Sequence, residues 1–155
     1  MLLYLIRHAE AVDSLPDAER ALSARGRHQI NLLAGFLARS RAFAPQEIWH
    51  SPYVRARDTA LALTQELRTK TPLREVPGIT PDDDPAAVLA LLADERRPVA
   101  LVGHEPHLSA LASLLVTGSA QPVAFAMKKA TILALERAGA RWIVRWHVEP
   151  GLLGE

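Results

Sequence analysis

The sequence contains no cysteine, which excludes disulfides, thiolate metal sites and a cysteine nucleophile. It lacks any strong excess of charge: 18 Lys and Arg stand against 17 Asp and Glu. The basic residues are interleaved with acids, so the basic footprint of a nucleic-acid binder is missing. No stretch approaches the ~18 apolar residues of a membrane span. The apolar run Leu2–Ile6 has neither the basic start nor the small-residue cleavage site of a signal peptide. Internal repeats, low-complexity tracts and linkers are also lacking. The chain has 155 residues, 49% of them hydrophobic, and a chain of this size buries roughly two-thirds of its unfolded surface. The expectation is one cytoplasmic domain over residues 1–155, with no membrane and no nucleic-acid partner.

What is present begins with Leu2-Leu3-Tyr4-Leu5-Ile6, a continuous apolar run closed by Arg7-His8. Such a run reads as a strand buried on both faces of a parallel sheet. In open α/β sheets ligands bind beyond the carboxyl ends of the strands. Arg7 and His8 are therefore either a plain polar strand end or a cation and an imidazole facing a ligand. A polar loop follows to Leu22. Ser23 reads as the cap of a helix running to about Arg39, with Ile30, Leu33, Ala34 and Leu37 at helical spacing. Gly26 in its first turn is either tolerated or required for a close approach of another backbone.

Glu47–His50 is a strand candidate, and Ser51-Pro52 reads as a cap and first residue of a helix to about Lys70. Arg55, one turn in, leans back toward the helix mouth, where free N–H groups favour an anion. Residues 72–81 read as irregular. Asp84-Pro85 opens a short helix through Leu89 and Leu92. Asp82, Asp83 and Asp84 could suggest a metal cluster, but turn and cap chemistry explains them more simply. Val99–Val102 is a second apolar strand ending in Gly103-His104, followed by a helix carrying Leu108, Leu111, Ala112 and Leu115. Residues 130–136 and 142–148 read as two strands about a turn at Gly139. Trp142, Val144, Trp146 and Val148 alternate in the second, which predicts one covered and one wet face. Strands alternating with helices predict an α/β fold: three layers, α/β/α, around a mostly parallel sheet with an antiparallel margin.

Three strand ends thus converge on one rim, bringing Arg7, His8, Arg55 and His104. Arginine forks match phosphate oxygens, and a neutral imidazole can attack phosphorus. The set Arg7-His8, Ser51-Pro52-x-x-Arg55-Ala56-x-x-Thr59-Ala60 and Gly103-His104 resembles the histidine phosphatase (phosphoglycerate-mutase-like) superfamily. The short chain, Arg20-x-Leu22-Ser23-x-x-Gly26 and Gly103-His104-Glu105-Pro106-x-Leu108 look most like its SixA-type phosphohistidine phosphatase branch. The resemblance covers nearly the whole length. It implies that His8 is the nucleophile of a phosphohistidine intermediate, that Arg7 and Arg55 grip the phosphate, and that His104 donates to a phosphate oxygen. It implies no metal and no cofactor. The sequence departs from the family at Ala9, where Gly is commonest.

Relatives acting on esters use a carboxylate acid, and Glu105 is the nearest candidate; its other reading is a first-turn acid favoured by the helix dipole. An imidazole leaves far more readily than an alkoxide, so a phosphohistidine substrate tolerates a weak or absent acid. The expected partner is a phosphorylated protein carrying phosphohistidine. The alternatives are a small phosphate ester with Glu105 as acid, or a phosphate-binding module without catalysis. Mutase activity is disfavoured because little insertion is available to enclose a sugar phosphate. His28, His50 and His147 read as structural or exposed. His104-Glu105-Pro106-His107 is one residue short of the H-E-x-x-H zinc motif. Lys128-Lys129 could line the phosphate rim or form a solvated pair.

Overall fold

The computed structural model describes residues 1–155. Six strands form one sheet: β1 Leu2–Arg7, β2 Glu47–His50, β3 Leu73–Glu75, β4 Val99–Gly103, β5 Ile132–Ala138 and β6 Arg141–Val148. Their spatial order is β3-β2-β4-β1-β5-β6. β1, β2, β3 and β4 run parallel, while β5 pairs antiparallel with both β1 and β6. The predicted mostly parallel sheet with one antiparallel margin is therefore present. No helix is long and apolar enough to cross a membrane.

Four helices cover the sheet: α1 Ala24–Ser40, α2 Val54–Glu66, α3 Ala86–Ala93 and α4 His107–Thr117. The alternation of side chains along a strand divides the core in two. Tyr4, Ile6, Ile48, Ala100 and Val102 pack against α1 and α2. Leu3, Leu5, Trp49, Val99 and Leu101 pack against α3 and α4. β4 throughout and β1 from Leu2 to Ile6 form continuous hydrophobic runs because both of their faces are covered.

Four local expectations are corrected. The stretch 72–81 is not wholly irregular, since Leu73–Glu75 extends the sheet beside β2. With three residues and a largely exposed edge, it carries no pattern to read. The helix after β2 starts at Val54 with Tyr53 as its cap residue, not at Ser51-Pro52. The Ser51 hydroxyl instead accepts the Tyr53 N–H at 3.1 Å. That helix stops at Glu66 rather than near Lys70, and Arg68 takes a left-handed φ of 52°. In β6 the covered face changes along the strand. Trp142 packs on the α3/α4 side, whereas Trp146 and Val148 pack on the α1/α2 side. A bulge opposite Ala134 and Leu135 inserts one residue, which flips every later side chain. Val144 is left exposed.

Asp84 does open α3, its Oδ1 accepting the Ala86 N–H at 2.9 Å. Asp83 accepts from the Thr80 N–H at 2.8 Å and hydroxyl at 2.7 Å, so the acidic run performs turn and cap work. Gly26 belongs to the close-approach case: a Cβ there would lie 2.1 Å from the Glu10 carbonyl oxygen.

Candidate active site

The carboxyl ends of β1, β2 and β4 meet because β4 lies between the other two. Arg7 pairs in register with Gly103, and the His8 N–H donates to the Gly103 carbonyl at 3.0 Å. The Ser51 N–H reaches the Val102 carbonyl, so the Ser51 turn is tied to the same strand. This carries Arg7, His8, Arg55 and His104 to one rim. The rings of His8 and His104 have centroids 5.1 Å apart, and Arg55 Nε donates to His8 Nε2 at 3.3 Å.

The tautomer of His8 follows from its partner. Its Nδ1 lies 2.7 Å from the Ala9 carbonyl oxygen, which can only accept, so Nδ1 carries the proton. The lone pair is then on Nε2, the atom that Arg55 faces. Burial first, and then the charges of Arg55, Arg7 and Lys129, push the ring's pKa down to about 4. His8 is accordingly a neutral imidazole at pH 7, held among cations.

His104 is set in a similar way. The Ser51 hydroxyl lies 2.5 Å from His104 Nε2 while also accepting the Tyr53 N–H. With the hydroxyl donating to Nε2, the ring proton sits on Nδ1. That Nδ1 is buried with no partner in the protein, as is Arg7 Nε. Unpartnered buried donors are rare, and two of them here suit a ligand rich in acceptor oxygens. Burial first, then His8 and Arg55, lower the His104 pKa to about 3.

The remaining clamp groups are held by further hydrogen bonds. Arg7 donates through one terminal nitrogen to the Met127 carbonyl at 2.8 Å. Arg55 donates to the Asp17 carbonyl at 2.8 Å and to Asp17 Oδ2 at 3.3 Å. Thr59 donates to the Arg55 carbonyl and accepts the Ala9 N–H at 3.0 Å, linking α2 to the His8 loop. Ala9 does not have a positive φ, so its backbone has no need of the family's commoner Gly. Asp17, Ser51 in its role toward His104, and Tyr53 are site residues that sequence reasoning missed. The Tyr53 ring is tilted 60° to that of His104, with centroids 5.0 Å apart, and lies under the Arg55 guanidinium. Only the Ser51-Pro52 spacing carried a signal, and it reads equally as a helix cap. Lys129 bears on the His8 charge and lines a cavity of about 430 Å³ with Arg7 and Lys128, while Lys128 pairs with Glu149.

Glu105 lies near enough to the clamp for its charge to bear on Arg7. Its carboxylate accepts the Ser109 N–H at 2.8 Å and the Ser109 hydroxyl, capping the first turn of α4. The helix-acid reading of Glu105 is thus the one its hydrogen bonds support. His28 and His147 are exposed, and buried His50 bonds the Ser51 carbonyl. No group of three or more metal-ligating residues occurs.

No curated protein matches the sequence. Solved structures do match the fold. The protein histidine phosphatase SixA, complexed with tungstate, is 22% identical with a TM-score of 0.85, covering 99% of each chain. A candidate phosphohistidine phosphatase SixA from Agrobacterium tumefaciens is 24% identical with a TM-score of 0.80, covering 96% of this chain and 97% of its own. The alpha-ribazole phosphatase from Shigella flexneri is 20% identical with a TM-score of 0.77, covering 94% of this chain and 95% of its own. At these identities the likeness establishes the fold alone. A family model described as histidine phosphatase superfamily (branch 1) matches residues 3–80. The chain belongs to the histidine phosphatase superfamily.

Proposed function

We propose that this protein is a metal-independent phosphatase in which His8 Nε2 attacks phosphorus, and that its substrate is phosphohistidine on a signalling or phosphotransfer protein. Residues 1–155 would act as one domain. The observation that carries the reading is the His8 ring, whose only proton is anchored on the Ala9 carbonyl while its unprotonated Nε2 accepts from Arg55 Nε at the centre of the clamp. In the first step an Nε2–P bond forms as the substrate's bond to phosphorus breaks. In the second, water attacks the phosphorylated His8 and releases phosphate. Arg7, Arg55 and the His104 Nδ1–H would neutralise the phosphoryl oxygens, and preorganised donors of this kind are worth about 10²–10³ in rate each. Guanidinium groups have no lone pair for a metal, so the clamp is suited to the anion alone.

The choice of phosphohistidine rests on the leaving group. Glu105 is engaged with α4, and no other carboxylate near the site is free to serve as acid. The Asp17 pKa is lowered first by its bond to Arg20 and also by Arg55, so it too is ionised at pH 7. An alkoxide would leave without a proton donor, whereas an imidazole needs none. The likeness to SixA supports this choice, and the likeness to an ester phosphatase makes esters the natural comparison. The test is a panel of a phosphohistidine peptide and small phosphate esters, with and without chelator. Turnover of the peptide, unchanged by chelator and abolished in His8→Ala, is expected, together with an acid-labile and base-stable phosphoenzyme. Full activity in His8→Ala would refute the reading, and preference for alkyl esters would refute the substrate.

A further inference from the structure

The short 3-10 helix Asp17–Glu19 lies between β1 and α1 and brings a carboxylate to the phosphate clamp. Asp17 Oδ2 is 3.3 Å from one terminal nitrogen of Arg55, whose Nε is 3.3 Å from His8 Nε2. One guanidinium therefore separates this carboxylate from the attacking atom. Asp17 also bears on the charge of His104. Its side chain is more than half exposed, so it stands at the mouth of the site and not behind it. A carboxylate in that place repels a phosphate dianion. Its other bond, from Oδ1 to Arg20 at 3.1 Å, leaves lone pairs on both oxygens unused.

Deepening the phosphohistidine reading and resting on it, we propose that Asp17 recognises the leaving imidazole, accepting a hydrogen bond from the substrate ring nitrogen that does not carry phosphorus. Attack by His8 Nε2 expels the leaving nitrogen on the far side of phosphorus, toward the mouth of the site that the exposed Asp17 borders. The half-buried ring of Tyr53, 5.0 Å from His104 and under Arg55 at 4.9 Å, offers that ring an aromatic neighbour. The step balances as follows. The His8 Nε2 lone pair forms the bond to phosphorus, and the P–N bond of the substrate breaks with its electron pair moving to the substrate nitrogen. The proton on the other ring nitrogen stays in place, so a cationic phosphoimidazole ring leaves as neutral imidazole. Asp17 keeps that proton bound before the transfer, which is the condition for easy departure. Esters have no such N–H, and for them the carboxylate offers only its bond to Arg55.

The experiment compares wild type, Asp17→Asn and Asp17→Ala on a phosphohistidine peptide and on p-nitrophenyl phosphate. Asn and Ala should lower kcat/KM on the peptide by roughly tenfold to a hundredfold, the range for losing a hydrogen bond to a charged group. Turnover of the aryl ester should fall much less, only by what the lost side-chain bond to Arg55 contributes, so that the ratio of peptide to ester kcat/KM drops in both variants. The alkaline limb of kcat on the peptide, which reports the bound complex, should move to lower pH in both. Equal losses on the two substrates would overturn the proposal, because they would assign Asp17 only the support of Arg55. Unchanged activity on the peptide in both variants would overturn it too. Wild-type protein that hydrolyses the aryl ester and not the peptide would refute the phosphohistidine reading itself, and the Asp17 role with it.

Discussion

Replacing Gly26 by Ala should destabilise the protein even though Gly26 lies within a helix, where Ala is intrinsically preferred by about 1 kcal/mol. The added Cβ would stand 2.1 Å from the Glu10 carbonyl oxygen and 3.0 Å from its carbon, both backbone atoms with no rotamer to yield. The Glu10 segment must therefore retreat by about 1 Å. That oxygen accepts the Ser23 N–H at 2.9 Å, so the movement also weakens a hydrogen bond worth ~1 kcal/mol net. Overpacking of this kind costs about 1–3 kcal/mol. Set against the propensity gain, a net loss of roughly 1–3 kcal/mol remains. For a domain of this size each kcal/mol moves Tm by ~2–4 °C. Gly35→Ala supplies the control within α1. Its Cβ would meet only the far end of the Arg39 side chain, at 3.3 Å, so it should stabilise by up to about 1 kcal/mol. Glu10 follows His8 by two residues, and turnover should fall in Gly26→Ala and hold in Gly35→Ala. Thermal and urea unfolding of the two variants, with their kcat values, make the measurement. A Gly26→Ala protein as stable as wild type would refute the close-approach argument.

Other outcomes follow from the same geometry. Stability should decline as pH falls from about 6.5 toward 5. Unfolded histidine takes its proton near 6.5, while His8 and His104 in the fold resist until about 4 and about 3, so the unfolded state binds more protons in that window. Carboxylates with lowered pKa, such as Glu95, act in the same direction only at lower pH. Urea midpoints at pH 7.5, 6 and 5 test this, and a flat profile would refute it. Glu105→Gln should lower Tm by ~1–4 °C through weaker capping of α4, and should change turnover of phenyl and p-nitrophenyl phosphate by one common factor. A loss confined to phenyl phosphate, the poorer leaving group, would restore Glu105 as the acid.

The sequence by itself determined the architecture and which residues would form the rim. The apolar runs of β1 and β4 can be buried only by covering both faces, and the polar residues that end each run must lie at the sheet's carboxyl edge. Arg7-His8 and Gly103-His104 were legible for that reason. Arg55 was legible because its helix follows β2 directly, even though that helix begins later than Ser51-Pro52 suggests.

Tertiary structure decided what each group does at the rim. The Ser51 hydroxyl reads as a cap when only neighbours in sequence are considered; across the sheet it has His104 to bond, and it holds that ring at Nε2. Asp17 sits in a polar loop without periodicity, and only folding brings it onto Arg55. Glu105 looked free beside His104 until α4 supplied Ser109 as its partner. The bulge between β5 and β6 redirected Trp146 without any mark in the alternating pattern. In each case the deciding contact joins separate elements or depends on where a helix begins, and local periodicity encodes neither. The reactive state of His8 spans both levels: its place at the strand end follows from the sequence, whereas its neutral ring comes from burial among Arg7, Arg55 and Lys129 and its unprotonated Nε2 from the bond of Nδ1 to Ala9.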